Sequence, residues 1–231
     1  MPTKTSLQRT APKPVGVDRR AEILRVAAKR FAQFGFEATT VRQIADDLNL
    51  LSGSLYHHFA TKDEMLHEVV RDAVEQMRDN TIRIARAPFD AEHRLVALIL
   101  LDLGELTRNQ GVHAILNNER KLFRRSEPFA YVVRAKKEAY LAWSTVMGDG
   151  MKAGLFKPNT DLYLMISTIL RMLNTAADWY RNEDEPVLDG YTLDQVIDFH
   201  LDLVLSAVRA PARISEPIPR AACQALARFH T

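Results

Sequence analysis

Cysteine is almost missing from this sequence. Cys223 is the one thiol in 231 residues, so no disulfide can form within the chain, and a reducing, cytoplasmic setting is expected. Glycine is sparse, at nine, and no stretch alternates apolar with polar residues in the β-branched manner of a strand. Long apolar runs are missing too. Residues 95–101 are too few to span a bilayer. Residues 163–177 carry Arg171 and Asn174 and meet Asp178 before the roughly 20 residues of a span accumulate. The basic opening MPTKTSLQRTAPKPVGVD leads into no apolar core, so neither a signal peptide nor a membrane partner is expected.

Sets of residues that perform chemistry are also lacking. No Ser/His/Asp or Cys/His arrangement, glycine-rich phosphate loop or recognisable carboxylate pair is visible, which disfavours an enzyme. His57 and His58 are adjacent but have no acidic or cysteine partner at ligand spacing, so neither a metal nor a cofactor is expected.

What is present is helical spacing. Leu24, Ala27, Ala28 and Phe31 follow it after a candidate cap at Asp18. Phe129, Val132, Val133, Lys136, Tyr140, Trp143 and Met147 repeat it, with an apolar gap only at Lys136. Thr40-Val-Arg-Gln43, Thr61-Lys-Asp-Glu64 and Thr192-Leu-Asp-Gln195 match the capping box of a helix start. Pro88, Pro128, Pro158 and Pro186 fall where the patterns break, and Gly154 fits a helix stop. The reading is an all-α chain of about nine helices: 18–35, 41–48, 52–58, 61–86, 90–109, 112–125, 128–153, 160–182 and 192–209. Four segments follow: a basic flexible arm (1–17), a three-helix head (18–62), a larger helical body (63–209) and a loose tail (210–231) in which a short helix near 221–229 has room to form.

Charge divides along the same lines. Residues 1–62 hold ten Lys/Arg against five Asp/Glu, and the remainder holds 21 against 24. A basic head on a slightly acidic body suits nucleic acid. The second and third helices have the size of a helix-turn-helix, with Asn49 tolerating the left-handed turn between them. Helix three is too short to stand alone and must pack through Leu55 and Phe59. Its outer residues Ser52, Gly53, Ser54, Tyr56 and His57, with Lys62, offer close backbone approach and donors for phosphate oxygens. Thr40, Arg42 and Gln43 stand at the start of helix two, where free amides favour an anion. The arm cations Lys4, Arg9, Lys13, Arg19 and Arg20 suit a minor groove or a solvated tail equally.

The run RAEILRVAAKRFAQFGFEATTVRQIADDLNLLSGSLYHHFATKDEML resembles the DNA-binding domain of the TetR family of repressors. The resemblance rests on Phe34-Gly35-Phe36, Thr39-Thr40-Val41, Ile44-Ala45 and Gly53 to Phe59 followed by Lys62. It implies a ligand-responsive repressor that binds operator DNA as a homodimer. Two departures are Asn49, where many members have Gly, and Leu51, where many have Ser or Thr; Leu51 then becomes a candidate for contact with a thymine methyl.

In the body, the last two helices are apolar nearly all round. That requires a second packing partner, and the resemblance implies a second subunit, with Ile169, Leu173, Val204 and Val208 as candidate interface residues. Polar residues amid apolar ones, Asn117, Arg120, Arg134, Trp143, Arg171 and Asn174, are candidates for an effector pocket. The segments ERKLFRRSEPFAYVVRAKK, GLFKPNTD and Asp178-Trp179-Tyr180-Arg181 are similar to those of TetR-type repressors of lipid and steroid-ring catabolism, which implies an acyl-CoA or other CoA thioester as effector. A body that instead binds another protein is compatible with the same residues.

Overall fold

The computed structural model describes residues 18–158, 161–179, 191–214 and 216–228. The expected arm, Tyr180 and Arg181 lie outside the described residues. Among the described residues the chain is all-α: eleven α-helices, two short 3-10 turns and one isolated β-bridge.

Short, capped helices make the head. α1 (Arg19–Phe34) starts where Asp18 accepts the Arg20 N–H. It stops at Gly35, whose φ of 85° favours glycine. α2 (Val41–Asp47) begins on the expected capping box, Thr40 and Gln43 each accepting the other's backbone N–H. Asn49, at φ 53°, makes the left-handed turn, and α3 (Ser52–Tyr56) follows.

α4 (Lys62–Ala85) is the long element, about 36 Å at 1.5 Å per residue. Its expected box is half made. Thr61 caps the Glu64 N–H, but the Glu64 carboxylate accepts from Ala60, one residue further back. The body continues through α5 (Ala91–Arg108), α6 (Gln110–Asn118), α7 (Arg120–Arg125), α8 (Ala130–Lys152), α9 (Leu162–Trp179), α10 (Leu193–Val208) and α11 (Arg220–Ala227). The helix expected over 112–125 is broken at Glu119 (φ −95°, ψ 24°), giving α6 and α7.

Two apolar cores hold these helices, and they do not divide at residue 62. The lower core joins Ile23, Phe31, Ile44, Leu55 and Phe59 of the head to Met65, Leu66 and Val70 of α4. It also takes in Ile115, Phe123, Phe129, Val132 and Ala135 of the body. The upper core takes the far ends of α4 and α8 together with α5, α9, α10 and α11. Head and body thus share a core.

Within the tail, the short helix expected near 221–229 is present as α11. α11 packs on α5 and buries Cys223, where burial pushes the thiol up to about 12 and leaves it unreactive. Arg83 of α4 donates to Leu226 O (3.0 Å) and Arg228 O (2.9 Å), satisfying carbonyls at the end of α11. Arg209 and Glu92 form a buried two-bond pair at 2.7 and 3.1 Å that ties the end of α10 to the start of α5. The Gly154-Leu155-Phe156 segment is structural as well. Gly154 has φ 70°, and Phe156 lies so close over Gly150 that a Cβ there would run into its ring.

Candidate functional site

The head presents a short exposed ridge. Leu51 is 82% exposed and Tyr56 55%; Gly53 and His57 are exposed, and Ser52 and Ser54 half-buried. Space around Gly53 is open: a Cβ there would meet nothing within 4 Å. On α2 the Arg42 side chain is 84% exposed, with only a loose approach to Asp46 at 3.9 Å. Thr40 and the Gln43 carbonyl are spent on the α2 cap, which leaves the Gln43 amide N–H donors facing outward. Leu55 and Phe59, fully buried, hold this ridge to the lower core.

Lys62 turns inward. Its ammonium donates to Phe36 O (2.8 Å) and Thr39 O (2.9 Å) and lies 4.2 Å from the centre of the Phe36 ring. Two of its three N–H donors are therefore committed to the segment that launches α2, which gives it a positioning role in place of an outstretched contact. Other braces went unread in the sequence. Arg30 forms two 2.6 Å bonds to Asp47, joining α1 to α2 and lowering the carboxyl of Asp47. Arg20 is paired with Glu68 and stacks over Phe59, joining α1 to α4.

In the body, a cavity of about 350 Å³ opens between α4, α5, α6, α7, α8 and α9. Five of the six candidate effector residues, Asn117, Arg120, Trp143, Arg171 and Asn174, line it together. Arg134 does not: it is exposed on α8, away from the lining. The wall also includes Asp102, His113, Lys136 and Tyr140, which the sequence reading missed. Two signals could have found them. Lys136 is the one gap in an otherwise apolar helical stripe, and Asp102 is a lone acid in the apolar run LVALILLDL.

Charge is graded across the cavity. Arg120, Lys136 and Arg171 are exposed at its rim, whereas Thr81 and Trp143 are buried at its floor. Lys136, although exposed as a residue, lines the cavity, and its ammonium is lowered to about 8, by desolvation there first and then by the positive charges of Arg120, Arg124 and Arg171. His113 is lowered by burial and by Lys136, so its ring is neutral at pH 7. The rim is cationic and the interior nearly uncharged.

The cavity wall reaches the head. Asn117 and Arg120 flank Glu119, and Glu119 Oε1 accepts the Phe36 N–H at 2.8 Å. Gly111 of α6 packs against Ala32 of α1 on the same side.

Residues 23–69 match the family of bacterial regulatory proteins described as tetR, and residues 88–208, over half of the chain, match the tetracyclin repressor-like C-terminal domain. The chain belongs to the TetR family. It is similar to the HTH-type transcriptional repressor KstR2 of Rhodococcus jostii, 32% identical over 193 residues that cover 84% of this chain and 92% of that protein. The solved structure of the ketosteroid transcriptional regulator KstR2 of Mycobacterium tuberculosis superposes with a TM-score of 0.77 at 31% identity. That match covers 84% of this chain and 97% of the other. AibR, solved with isovaleryl coenzyme A and operator DNA, shares the fold at a TM-score of 0.70 and 19% identity, over 82% of this chain and 100% of the other.

Within this TetR-family body Ile169, Leu173, Val204 and Val208, expected at a subunit interface, are at most 4% exposed in the single chain, packed in its upper core. Periodicity marks a helix as apolar on two faces without saying which face turns inward. Among the described residues the large apolar side chains left exposed on α9 and α10 are Tyr163 (67%), Leu164 (62%), Phe199 (63%) and Leu203 (44%). Among the described residues no helix is long and apolar enough to cross a membrane.

Proposed function

We propose that this chain is a transcriptional repressor that grips operator DNA as a homodimer and releases it when a CoA thioester fills the cavity of its body. The observation that carries this reading is the cavity, with its cationic rim, its apolar floor and a wall that flanks the Glu119–Phe36 bond. Phosphates of CoA suit Arg120, Lys136 and Arg171, and an anion there offsets both the desolvation that chiefly depresses Lys136 and the repulsion that adds to it. An acyl group suits Met77, Leu116, Trp143 and Leu170. KstR2 supports the repressor reading by its described activity, and the AibR fold holds a CoA thioester in that protein.

The head contacts DNA through Thr40, Arg42, Gln43, Leu51, Ser52, Gly53, Ser54, Tyr56 and His57, with Lys62 fixing the entry to α2. Two heads are brought to successive major grooves by pairing of the outer α9–α10 faces, through Leu164, Phe199 and Leu203. Effector and operator compete because the thioester favours an arrangement of α6 and α7 in which the heads no longer match the groove spacing. A coupling of roughly 1–3 kcal/mol weakens operator binding roughly 5–150-fold. The test is a gel shift on the DNA upstream of the protein's own gene, repeated with a panel of CoA thioesters, free CoA and the free acids. Release by thioesters and not by free CoA supports the reading. Retention of the shift under every thioester rejects the effector class, and no upstream shift at all rejects the repressor.

A further inference from the structure

The floor of the cavity holds a polar group with nothing to bind. Asp102 sits in the middle of α5 and lines the cavity opposite the cationic rim. Among the described residues its carboxyl has no hydrogen bond and no ion pair. Burial, and after it the like charge of Glu105 one turn along the same helix, raises it. Glu105 is itself occupied, accepting from Asn109 Nδ2 at 2.8 Å. Asp102 is half-buried and lines the cavity, so its carboxyl, poorly solvated and without a protein partner, is one that a ligand's polar group can complete.

We propose that Asp102 sets the specificity of this cavity by hydrogen-bonding a neutral oxygen function, a ketone or hydroxyl, on the apolar body of the effector, whose anionic end stays at the Arg120–Lys136–Arg171 rim. This rests on the thioester reading above and narrows it from acyl groups in general to oxygenated ones. Burial, with Glu105, raises the carboxyl to about 7, so near neutral pH a large share of it is protonated and can donate to a carbonyl. The neutral ring of His113 and the Asn174 amide line the same cavity and add further hydrogen-bonding groups without adding charge. An ionised acid seeking a cation is the opposite chemistry, and the three rim cations disfavour a cationic ligand on its way in.

Calorimetry on the full-length protein distinguishes these. The probes are cyclohexanecarbonyl-CoA and larger cycloalkane homologues, their counterparts with a ketone or an amine at successive ring positions, and the corresponding free acids. At least one ketone thioester is expected to bind roughly tenfold or more tightly than its hydrocarbon parent, the effect of completing one buried polar group. In Asp102→Leu that preference disappears while the hydrocarbon parents bind at least as well as to wild type; Asp102→Asn, which keeps an N–H donor, retains it. Equal binding of ketones and hydrocarbons to the wild-type protein overturns the proposal without any variant. So does a preference that survives Asp102→Leu, or one for the amines. Hydrocarbon thioesters that bind and release DNA in that case leave the thioester reading standing. Binding of no member of any series overturns both.

Discussion

The carboxylate of Glu119 accepts the backbone N–H of Phe36 at 2.8 Å, across 83 residues of sequence. One partner belongs to the break between α6 and α7 on the cavity wall, the other to the turn between α1 and α2. Gly35 lies beside this bond with φ 85°, and it is that backbone conformation which calls for glycine, since a Cβ there would only touch Glu119 Oε1 at 3.4 Å. Glu119→Ala is therefore expected to uncouple the two sites. Effector affinity by calorimetry should stay within about threefold of wild type, while the effector-dependent loss of operator binding shrinks several-fold from the typical range. Glu119→Gln, which keeps an acceptor, should behave nearly as wild type. Unchanged effector-driven release in Glu119→Ala would remove this bond from the coupling.

Tyr56 and Lys62 should separate by the kind of loss they produce. Tyr56 is exposed and holds no part of the fold, so Tyr56→Phe is expected to weaken operator and non-specific DNA alike by roughly 1–2 kcal/mol with no change in melting temperature. Lys62 holds two carbonyls at the start of α2. Lys62→Ala should weaken DNA binding and lower the melting temperature together. DNA titrations paired with thermal unfolding of both variants decide it, and a Lys62→Ala protein as thermostable as wild type would return Lys62 to a direct contact.

Much of the fold was legible because its signals are local. Capping at Thr40 and Thr192, the left-handed Asn49 and the apolar stripes each act within a few residues, so sequence carries them directly. What was not legible depends on pairs far apart in the chain. Glu119 breaks a run that reads as one helix, and its bond to Phe36 cannot be seen in either local pattern. Arg209 reads as a helix end until Glu92 is brought beside it. Asn117, Arg120, Arg171 and Asn174 were legible as polar interruptions of apolar faces, whereas Arg134 shows that the same interruption also occurs on a solvated surface. For Ile169 and Val204 the pattern was right about burial and silent about the partner.

The Glu92–Arg209 pair should be the most sensitive point of the upper core. Both residues are 2–3% exposed, and Arg209 also donates to Glu216 O and Pro217 O, so one guanidinium anchors both α10 and the chain beyond it. Glu92→Ala is expected to cost about 3–5 kcal/mol, because it strands a buried cation. The double variant Glu92→Leu with Arg209→Met should lose less than the single ones together. Urea unfolding of Glu92→Leu, Arg209→Met and the double variant tests this, with Glu92→Ala measured beside them, and strict additivity would argue against a coupled pair.

Residues on the two sides of α10 should answer to different measurements. Phe199→Arg and Leu203→Glu alter the exposed face, and each is expected to leave a folded monomer. Val204→Arg places a charge in a fully buried site of the upper core and should fail to fold. Sedimentation equilibrium at micromolar concentration, on protein whose helicity matches wild type, reads the first two outcomes. A wild-type monomer would reject the homodimer, and Phe199→Arg and Leu203→Glu proteins that stay dimeric would move the interface elsewhere.

Asp102 also makes a prediction about stability against pH. Its carboxyl is raised to about 7 by burial first and by Glu105 second, and Glu105 is raised mainly by burial. Between about pH 4 and about pH 7 the folded chain therefore keeps protons on these acids that the unfolded chain has released. With fewer protons bound when unfolded, the free energy of unfolding falls as pH rises through this window. His113 works in the opposite sense, since its lowered value means that the unfolded chain binds the extra proton below about pH 6.5. The wild-type curve thus mixes both signs, and the difference between wild type and Asp102→Asn isolates the acid. Asn cannot ionise, so the variant should gain on wild type as pH rises from about 5 to about 8, by about 1–3 kcal/mol once the partial solvation of a cavity-facing group is allowed for. Urea unfolding of the two proteins across that range gives the difference directly. A difference that does not vary with pH would mean that Asp102 is already ionised at acidic pH in the folded chain, and would leave the cavity floor negatively charged.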